Sequence, residues 1–401
     1  MEITIDAMAH GGDGVGRIDG KAHFVAGTMP GEVAEIDVTE DRGNFARARL
    51  LQISAPSPDR VEPLCPYFGT CGGCTWQYAA HAAQLRWKEE TVRGQLQHIG
   101  KIDTPNVRPI VAPGLPFAYR NRMDFRVVGS RPALYRARSR TLVPIDRCLL
   151  LHPTLESLFD RLGPLDGVEA LTIRTGTRTG DTLVLVTGAL PPQADTWESN
   201  VARWEEESVV AISGPPSITE EVAGIKFRIS AATFFQVNTD GADALVRLVG
   251  EALQPTSDDT LLDGYSGGGL FSATVGAKAG EVIAIESSRA AIADARRNLR
   301  VALPESNRIL VGRFEEVVAR VDDYWTIAVV DPPRTGLRRE GVEAVIAAAP
   351  RAIAYVACDP ASLGRDSKLL AGAGYRLDWA TPVDLFPQTY HVEAVARFER
   401  T

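Results

Sequence analysis

Hydrophobic and polar residues alternate along the first 55 positions in short runs that glycines interrupt. The runs are EITIDAMA, GGDGVGRIDGKAHFVAG and EVAEIDVTEDRGNFARARLLQI. Alternation with a period of two is typical of strands that bury one face, and short glycine spacers are typical of turns between strands. The pattern therefore predicts a small β-barrel over residues 1–55.

Residues 56–225 show a mixed pattern. The stretch APSPDRVEPLCP holds four prolines in twelve residues and predicts a linker. Apolar residues at helical spacing in HAAQLRWKEETVRGQLQHI predict an amphipathic helix. Strand-like runs follow in MDFRVVG, ALTIRTG and DTLVLVTG. Together these segments predict a central α+β domain, whose strand order the pattern does not specify.

Strands and helices alternate in residues 226–401. The strand candidates are TLLDG, EVIAIE, TIAVV and AIAYVA, and a terminal hairpin is predicted from YRLDWATPVDLF and EAVARFER. Alternation of this kind predicts a parallel, doubly wound sheet. The chain as a whole is expected to be an α/β protein with a Rossmann-like last domain.

The composition is ordinary for a soluble globular protein, with 45% hydrophobic and 23% charged residues among 401. No apolar run reaches the ~18 residues that a membrane helix needs. The first residues, MEITIDAMAHGGDGVG, lack the basic-then-apolar order of a signal peptide. We therefore expect a cytoplasmic protein without a membrane partner.

The net charge of −8 hides a basic segment, residues 108–147. This segment carries +7, while the rest of the chain carries −15. Four aromatic residues are interleaved with its nine arginines: Phe117, Tyr119, Phe125 and Tyr135. Arginine pairs with phosphates and aromatic rings stack on unpaired bases, so the basic segment predicts an RNA-binding surface. The alternative is a solvated strand face.

Glycines and acids collect where the strands of the last region are predicted to end, which is where open α/β sheets bind ligands. A glycine turn, DGYSGGG, follows the first strand, and Glu286 ends the second, where an acid can accept both ribose hydroxyls. Asp331 and Cys358 end two further strands. These features suit a dinucleotide or S-adenosylmethionine. The spacing G-x-x-G-G-G and the sequence DPPR favour S-adenosylmethionine and a methyltransferase, although Glu286 alone could be an exposed strand-end acid.

The five cysteines divide into four and one. Cys65, Cys71 and Cys74 lie close together, Cys148 lies far downstream, and Cys358 stands alone. In a reducing cytosol, clustered cysteines are more often metal ligands than disulfides. The four suit tetrahedral ligation of either zinc or an iron–sulfur cluster, and their spacing does not separate the two. Cys358, at a strand end, is a candidate nucleophile; a buried filler residue is the alternative.

Two resemblances to known families account for these observations together. Residues 1–55 resemble a TRAM domain, an OB-like barrel attached to RNA-modifying enzymes, through GDGVGR, DGKAHFV and PGE. Almost the whole chain resembles the RNA uracil-5-methyltransferases, in the branch with a TRAM domain and an iron–sulfur cluster. The matching segments are CPYFGTCGGCTWQY, YRNRMDFRV, SAATFFQVN, LLDGYSGGGLFS, VVDPPRTGL, YVACDPASLGRD and FPQTYHVEAVARFE. This resemblance implies a class I methyltransferase domain over residues 226–401.

The second resemblance also implies roles for individual residues. The residues that would contact S-adenosylmethionine are Gln236, Tyr265, Glu286 and Asp331. Cys358 would be the nucleophile and Glu393 the general base. The ligands of a [4Fe–4S] cluster, favoured over zinc, would be Cys65, Cys71, Cys74 and Cys148. Leu270 and Arg313 depart from the family pattern, which often has Asn and a cofactor-contacting polar residue there, so neither is assigned to the site.

The reaction explains why one thiol and one carboxylate are needed. Uracil C5 is a poor nucleophile, and a thiolate added to C6 makes C5 enolate-like, so that it can take a methyl group. A base then removes the C5 proton so that the thiolate can leave. Cys358 and Glu393 are expected to follow late strands of one sheet and so to converge. The target ring has to leave its stack, which predicts base flipping or binding of a single-stranded loop, with Arg334 as a further RNA contact.

The leading hypothesis is a monomeric enzyme that forms 5-methyluridine in structured RNA, with ribosomal RNA favoured by the resemblance. One alternative is an iron–sulfur RNA-binding protein that has lost catalysis; the intact Cys358, Glu393 and DPPR argue against it. The other is an amino-group methyltransferase, whose chemistry needs no cysteine. Residues 1–55 carry a net charge of −4, which is unusual for a barrel that grips RNA and suits a role in orientation.

Overall fold

The computed structural model describes residues 1–303, 305–322 and 324–401. Within these residues the chain forms a closed barrel, a central sheet, a two-stranded ribbon and a C-terminal sheet flanked by helices. In this described part of the chain, no helix is both long and apolar enough to cross a membrane.

Five strands, in the order β1–β2–β3–β5–β4, close the N-terminal barrel. They are β1 Glu2–Met8, β2 Gly14–Ile18, β3 Lys21–Val25, β4 Val33–Asp41 and β5 Phe45–Ala55. Alternate residues such as Ile3, Ile5 and Ile36 fill the barrel core, as the period of two requires. The barrel predicted for residues 1–55 is confirmed.

The central region begins with the predicted helix, α1 His81–His98, and continues into a seven-stranded sheet in the order β12–β11–β10–β9–β6–β7–β8. The strands are β6 Arg122–Val128, β7 Arg131–Tyr135, β8 Leu142–Pro144, β9 Val168–Thr175, β10 Thr182–Gly188, β11 Asn200–Glu205 and β12 Ser208–Ser213. Helix α2, Pro153–Asp160, packs on β9. A ribbon of β13 Ser217–Val222 and β14 Ile225–Ser230 leads into the last region.

The C-terminal sheet has the order β17–β16–β15–β18–β19–β21–β20. Its strands are β15 Thr260–Gly264, β16 Glu281–Glu286, β17 Asn307–Val311, β18 Ile327–Val330, β19 Ala352–Ala357, β20 Tyr375–Val383 and β21 Glu393–Arg400. Its helices are α3 Thr239–Leu253, α4 Leu270–Thr274, α5 Arg289–Ala302, α6 Phe314–Val318, α7 Arg338–Ile346 and α8 Pro360–Gly372. The first five strands of the order are parallel, and the predicted terminal hairpin inserts β21 antiparallel between β19 and β20.

Helix α1 packs on the C-terminal sheet region, although the sequence prediction assigns it to the central region. Its residues Val92 and Leu96 share a hydrophobic core with Leu363 of α8. The two helices approach closely at Gly364, where an added Cβ would lie 2.6 Å from the carbonyl oxygen of Gln95. Segments on either side of the predicted boundary at residue 225 therefore pack as one core.

Candidate active site and cysteine cluster

A cavity of about 520 Å³ opens at the carboxyl edge of the C-terminal sheet. Its lining includes all six residues that the sequence prediction assigns to cofactor binding and catalysis: Gln236, Tyr265, Glu286, Asp331, Cys358 and Glu393. Parallel strands bring their carboxyl ends to one edge, which is why residues so far apart in sequence meet there.

The glycine turn after β15 fixes the acid at the end of β16. Tyr265, Gly267 and Gly269 all have positive φ values, of 64°, 55° and 88°, and glycine adopts this conformation without strain. The turn brings the Gly267 N–H to Glu286, whose Oε2 accepts its hydrogen bond at 2.9 Å. The Ser288 N–H donates to Oε1 at 2.7 Å. The carboxylate is therefore held at the cavity rim, where the sequence predicts contact with a ribose.

Two buried polar atoms beside this turn have no hydrogen-bond partner among the described residues: Oδ1 of Asp263 and Oγ of Ser266. The other oxygen of Asp263 accepts from the Ser272 N–H at 2.9 Å and from its hydroxyl at 2.5 Å. Burial raises the pKa of Asp263 to about 7. Burial, together with the charge of Asp263, raises the pKa of Asp331 to about 7 as well.

Two acids that resist ionising together suit a positively charged ligand. S-adenosylmethionine carries both an ammonium and a sulfonium, so the residues present fit this group. The sequence reasoning missed Asp263 and Ser266, although Asp263 lies in β15 directly before the glycine turn. Its position next to that turn was the available signal.

The central region holds the loop after β14, which forms part of the cavity wall. The side-chain amide of Asn121 donates to the carbonyl oxygen of Gln236 at 3.0 Å. Arg174, on β9 and only 2% exposed, donates to the carbonyl oxygen of Thr233 at 2.9 Å. These bonds hold the loop after β14, which carries the buried Gln236 and the exposed Phe234.

Cys358 and Glu393 lie at the junction of two neighbouring strands. Cys358 directly follows β19, and Glu393 is the first residue of β21. The prediction that Glu393 follows a strand is wrong. Because β21 runs antiparallel to β19, its first residue lies at the same edge as the end of β19. Ala357 pairs with Ala394, so the register continued by one residue sets Cys358 across from Glu393.

Burial disfavours the charged form of both groups. Burial, followed by the charges of Glu393 and Asp331, raises the pKa of Cys358 to about 12, and Arg334 opposes this shift. Burial, followed by the charge of Asp331, raises the pKa of Glu393 well above its ordinary value. Strong pKa perturbation of a nucleophile and an acid that share one cavity is characteristic of functional sites.

The cavity lining also includes Phe386 and His391, which the sequence reasoning did not assign. Both lie in the catalytic loop, residues 384–392, which precedes Glu393. Burial, followed by the charges of Arg334, Lys88 and other cations, lowers the pKa of His391 to about 4. His391 is therefore neutral at physiological pH. The segment FPQTYH could have identified both residues from the sequence, because it belongs to the motif that includes Glu393.

The four predicted cluster ligands surround a separate cavity of about 240 Å³. Its lining includes Cys65, Cys71, Cys74 and Cys148. The Gly72 N–H donates to the carbonyl oxygen of Tyr135 at 2.9 Å, which attaches this loop to β7 of the basic segment. Across residues 1–303, 305–322 and 324–401, no group of three or more His, Cys, Asp or Glu is arranged to hold a single metal ion.

The basic segment presents an exposed arginine surface. Its exposed arginines are Arg126, Arg131, Arg136, Arg138, Arg140 and Arg147. Arg108 is instead engaged within the fold, by Glu251 at 2.6 Å and by the ring of Trp379 at 3.9 Å. The prediction that the interleaved aromatic residues can stack on bases is wrong for Tyr119 and Phe125, which are 7% and 2% exposed. On β6, alternation turns Phe125 into the core and its neighbour Arg126 outward.

The fold and the cavity define an S-adenosylmethionine-dependent methyltransferase of class I. Residues 1–51 match the TRAM domain family, and residues 218–401 match the tRNA (Uracil-5-)-methyltransferase family. The chain is 35% identical to an uncharacterized RNA methyltransferase of Gloeobacter violaceus, with 100% of this chain and 96% of the relative covered. It is 36% identical to one of Streptomyces coelicolor, with 99% and 92% covered.

A solved structure is also similar over the full length. The crystal structure of Pyrococcus abyssi tRNA (uracil-54, C5)-methyltransferase in complex with S-adenosyl-L-homocysteine gives a TM-score of 0.78 at 26% identity, covering 99% of this chain and 100% of that one. The chain therefore belongs to the RNA uracil-5-methyltransferase family, with an N-terminal TRAM domain. The predicted fold class is confirmed.

Proposed function

We propose that this enzyme transfers a methyl group from S-adenosylmethionine to C5 of a uridine in RNA, through a covalent bond between Cys358 and C6. The observation that carries the proposal is one cavity that holds a thiol and a carboxyl from adjacent strands. The same cavity is lined by the glycine turn and Glu286, and the buried Asp263, whose Oδ1 has no hydrogen-bond partner among the described residues, lies directly before that turn.

The reaction divides between the two catalytic residues. Cys358 adds to C6, the S–C6 bond forms, and the C5=C6 π electrons move toward O4, which makes C5 nucleophilic. S-adenosylmethionine, when bound, would supply an electrophilic methyl group; C5 takes it as the methyl–sulfur bond breaks and the electron pair of that bond stays on the sulfur. Glu393 then removes the C5 proton; the C–H electrons rebuild the C5=C6 bond, and the S–C6 bond breaks. Cys358 must lose its proton before addition, and Glu393 must be ionised before the last step.

RNA is the polymer that the exposed arginines of the basic segment suit, since arginine pairs with phosphates and stacks on bases. Ribosomal RNA is the first candidate, because the TRAM domain and the four cysteines resemble the ribosomal branch of the family. Transfer RNA is the second, because the similar Pyrococcus abyssi structure is that of a tRNA (uracil-54, C5)-methyltransferase.

The four cysteines are the proposed ligands of a [4Fe–4S] cluster. Four thiols around one cavity are the donor set of such clusters. The family resemblance favours such a cluster over a single zinc ion. The cluster would cross-link the 65–74 loop to Cys148. Iron, sulfide and zinc contents of anaerobically purified protein test this assignment, and stoichiometric zinc without iron would contradict it.

The test of the reaction is mass spectrometry of ribosomal and transfer RNA from a deletion strain that carries the wild-type or a variant gene. Wild type should restore one 5-methyluridine, and Cys358→Ala should not. Glu393→Gln should accumulate a covalent enzyme–RNA adduct, because methylation can proceed while elimination cannot. Glu399→Gln is the matched control, since it makes the same change on the same strand at the other end. Full C5 methylation by Cys358→Ala would refute the mechanism, and an N-methylated product would support the amino-group alternative.

A further inference from the structure

The loop between the first two barrel strands, residues 9–13, contacts three other parts of the molecule. We call it the barrel loop. His10 Nε2 lies 3.1 Å from Oδ2 of Asp359, the residue after Cys358. The carbonyl oxygen of Gly12 accepts from the Trp76 indole at 3.0 Å. The buried carboxylate of Asp13 accepts from Arg138 of the basic segment at 2.8 Å. The barrel loop therefore contacts the residue after Cys358, the segment that follows the 65–74 loop, and the basic segment.

A second cavity, of about 160 Å³, lies between the barrel loop and the catalytic loop. His10 and Gly11 form one side of it. Cys358, Arg334 and His391 line both this cavity and the 520 Å³ cavity. The second cavity therefore adjoins the cofactor cavity at the thiol, and the barrel supplies its outer wall.

Asp359 connects His10 to the position of the thiol. Its Oδ1 accepts from the Ser362 N–H at 2.7 Å and caps helix α8, while Oδ2 faces His10. Burial alone would raise the pKa of Asp359, but the hydrogen bonds from His10 and from backbone N–H groups hold it below its ordinary value. The carboxylate is thus ionised and held from two sides, which fixes the backbone directly after Cys358.

A second contact couples the barrel loop to the segment before Glu393. Gly12 has a φ of +85°, and an added Cβ would lie 2.7 Å from Cδ1 of Tyr390. The ring of Tyr390 packs against that of His391, with centroids 4.2 Å apart. Only glycine permits this approach, so the barrel loop fits closely against the catalytic loop.

The net negative charge of the barrel argues against a role in which the barrel only binds RNA through its phosphates. Residues 1–55 carry −4, whereas affinity for RNA comes mainly from cations that neutralise phosphates. We propose that the barrel loop is the outer wall of the pocket for the target nucleotide, and that His10 is a positioning residue that holds Cys358 through Asp359. This inference rests on the proposed function and assigns the barrel a part in its catalytic step.

The test compares His10→Ala, His10→Gln and Arg17→Ala. Glutamine can still donate an N–H to Asp359, and Arg17 is an exposed barrel cation that donates to the carbonyl oxygen of Gly20 in its own turn. Single-turnover methylation at saturating RNA should slow by about 10- to 100-fold in His10→Ala, because small misplacement of a reacting group has effects of that size. His10→Gln should recover most of the rate, and Arg17→Ala should match wild type. Dissociation constants for RNA and S-adenosylmethionine should stay within about twofold.

A weaker RNA affinity with an unchanged single-turnover rate would overturn the proposal, as would no effect on either quantity. A second measurement needs no RNA: the rate at which iodoacetamide alkylates Cys358, followed by mass spectrometry of its peptide. His10→Ala should slow this alkylation, because Asp359 then opposes the thiolate without a partner, and His10→Gln should restore it. Equal alkylation rates in folded variants would overturn the positioning role. If wild type methylates no uridine at C5, the proposed function fails, while the alkylation rates still decide the role of His10.

Discussion

Binding of S-adenosylmethionine should release protons, because two buried acids at the carboxyl edge of the C-terminal sheet have raised pKa values. Asp263 and Asp331 each have a pKa raised to about 7. An acid with that pKa holds about half a proton at pH 7, so the pair holds about one. If the bound cation keeps both acids ionised, binding releases protons, and the number released falls as the pH rises through the pKa values of the two acids.

Isothermal titration calorimetry measures this release directly. The binding enthalpy at pH 7 should differ between two buffers by about one proton times the difference of their ionisation enthalpies. Since a proton leaves on binding, affinity should rise with pH, by about tenfold per unit near pH 7. Asp263→Asn and Asp331→Asn should each reduce the release to about half. Asp258→Asn, an exposed carboxylate near the other end of β15, is the matched control and should leave it unchanged.

A binding enthalpy at pH 7 that is independent of the buffer would refute this reasoning. It would mean that the two acids do not change protonation when the cofactor binds, so burial and mutual repulsion could not be holding protons that a cation displaces. Release that persists in the Asp263→Asn, Asp331→Asn double variant would assign the protons to other groups.

Removing one partner of the fully buried Lys88–Asp384 ion pair, whose Nζ–Oδ1 distance is 2.5 Å, should destabilise the fold. Lys88→Met should lower the free energy of unfolding by about 3 kcal/mol, measured in urea, and Asp384→Asn in the same chain should recover part of it; an unchanged midpoint would contradict this. Arg140→Ala and Arg147→Ala should each reduce the slope of log affinity for RNA against log salt by about 0.7 to 0.9, measured by filter binding. The single-turnover rate at saturating RNA should stay at the wild-type value, and a slope equal to wild type would show that these side chains do not neutralise phosphates.

The residues at the carboxyl edge were predictable because the strands that carry them are short apolar runs with distinct ends. Once β15, β16, β18 and β19 are parallel neighbours, Glu286, Asp331 and Cys358 have to meet. Glu393 was predictable as a member of the same edge only through its motif. That β21 inserts antiparallel between β19 and β20 depends on packing across the whole sheet, which a local pattern does not contain.

The sequence pattern could not predict contacts between segments that lie far apart in the chain. His10 and Asp359 are 349 positions apart, and a histidine in a glycine-rich turn has no local feature that marks it as part of a site. For the aromatic residues of the basic segment, the sequence pattern instead predicted a role that burial excludes for some of them. Interleaving with arginines suggested stacking on bases, yet strand alternation places Phe125 in the core and leaves Tyr135 at the surface, 47% exposed.

The ionisation of Glu393 can change in the order that the proposed reaction needs. A nearby positive charge lowers the pKa of a carboxyl, and burial next to Asp331 raises it. A sulfonium in the cavity would therefore oppose the upward shift in the pKa of Glu393. Methyl transfer to C5 would remove that positive charge, and the pKa of Glu393 would then rise again. The carboxylate thus becomes a stronger base after the methyl group has moved, which is the point at which the C5 proton has to be taken.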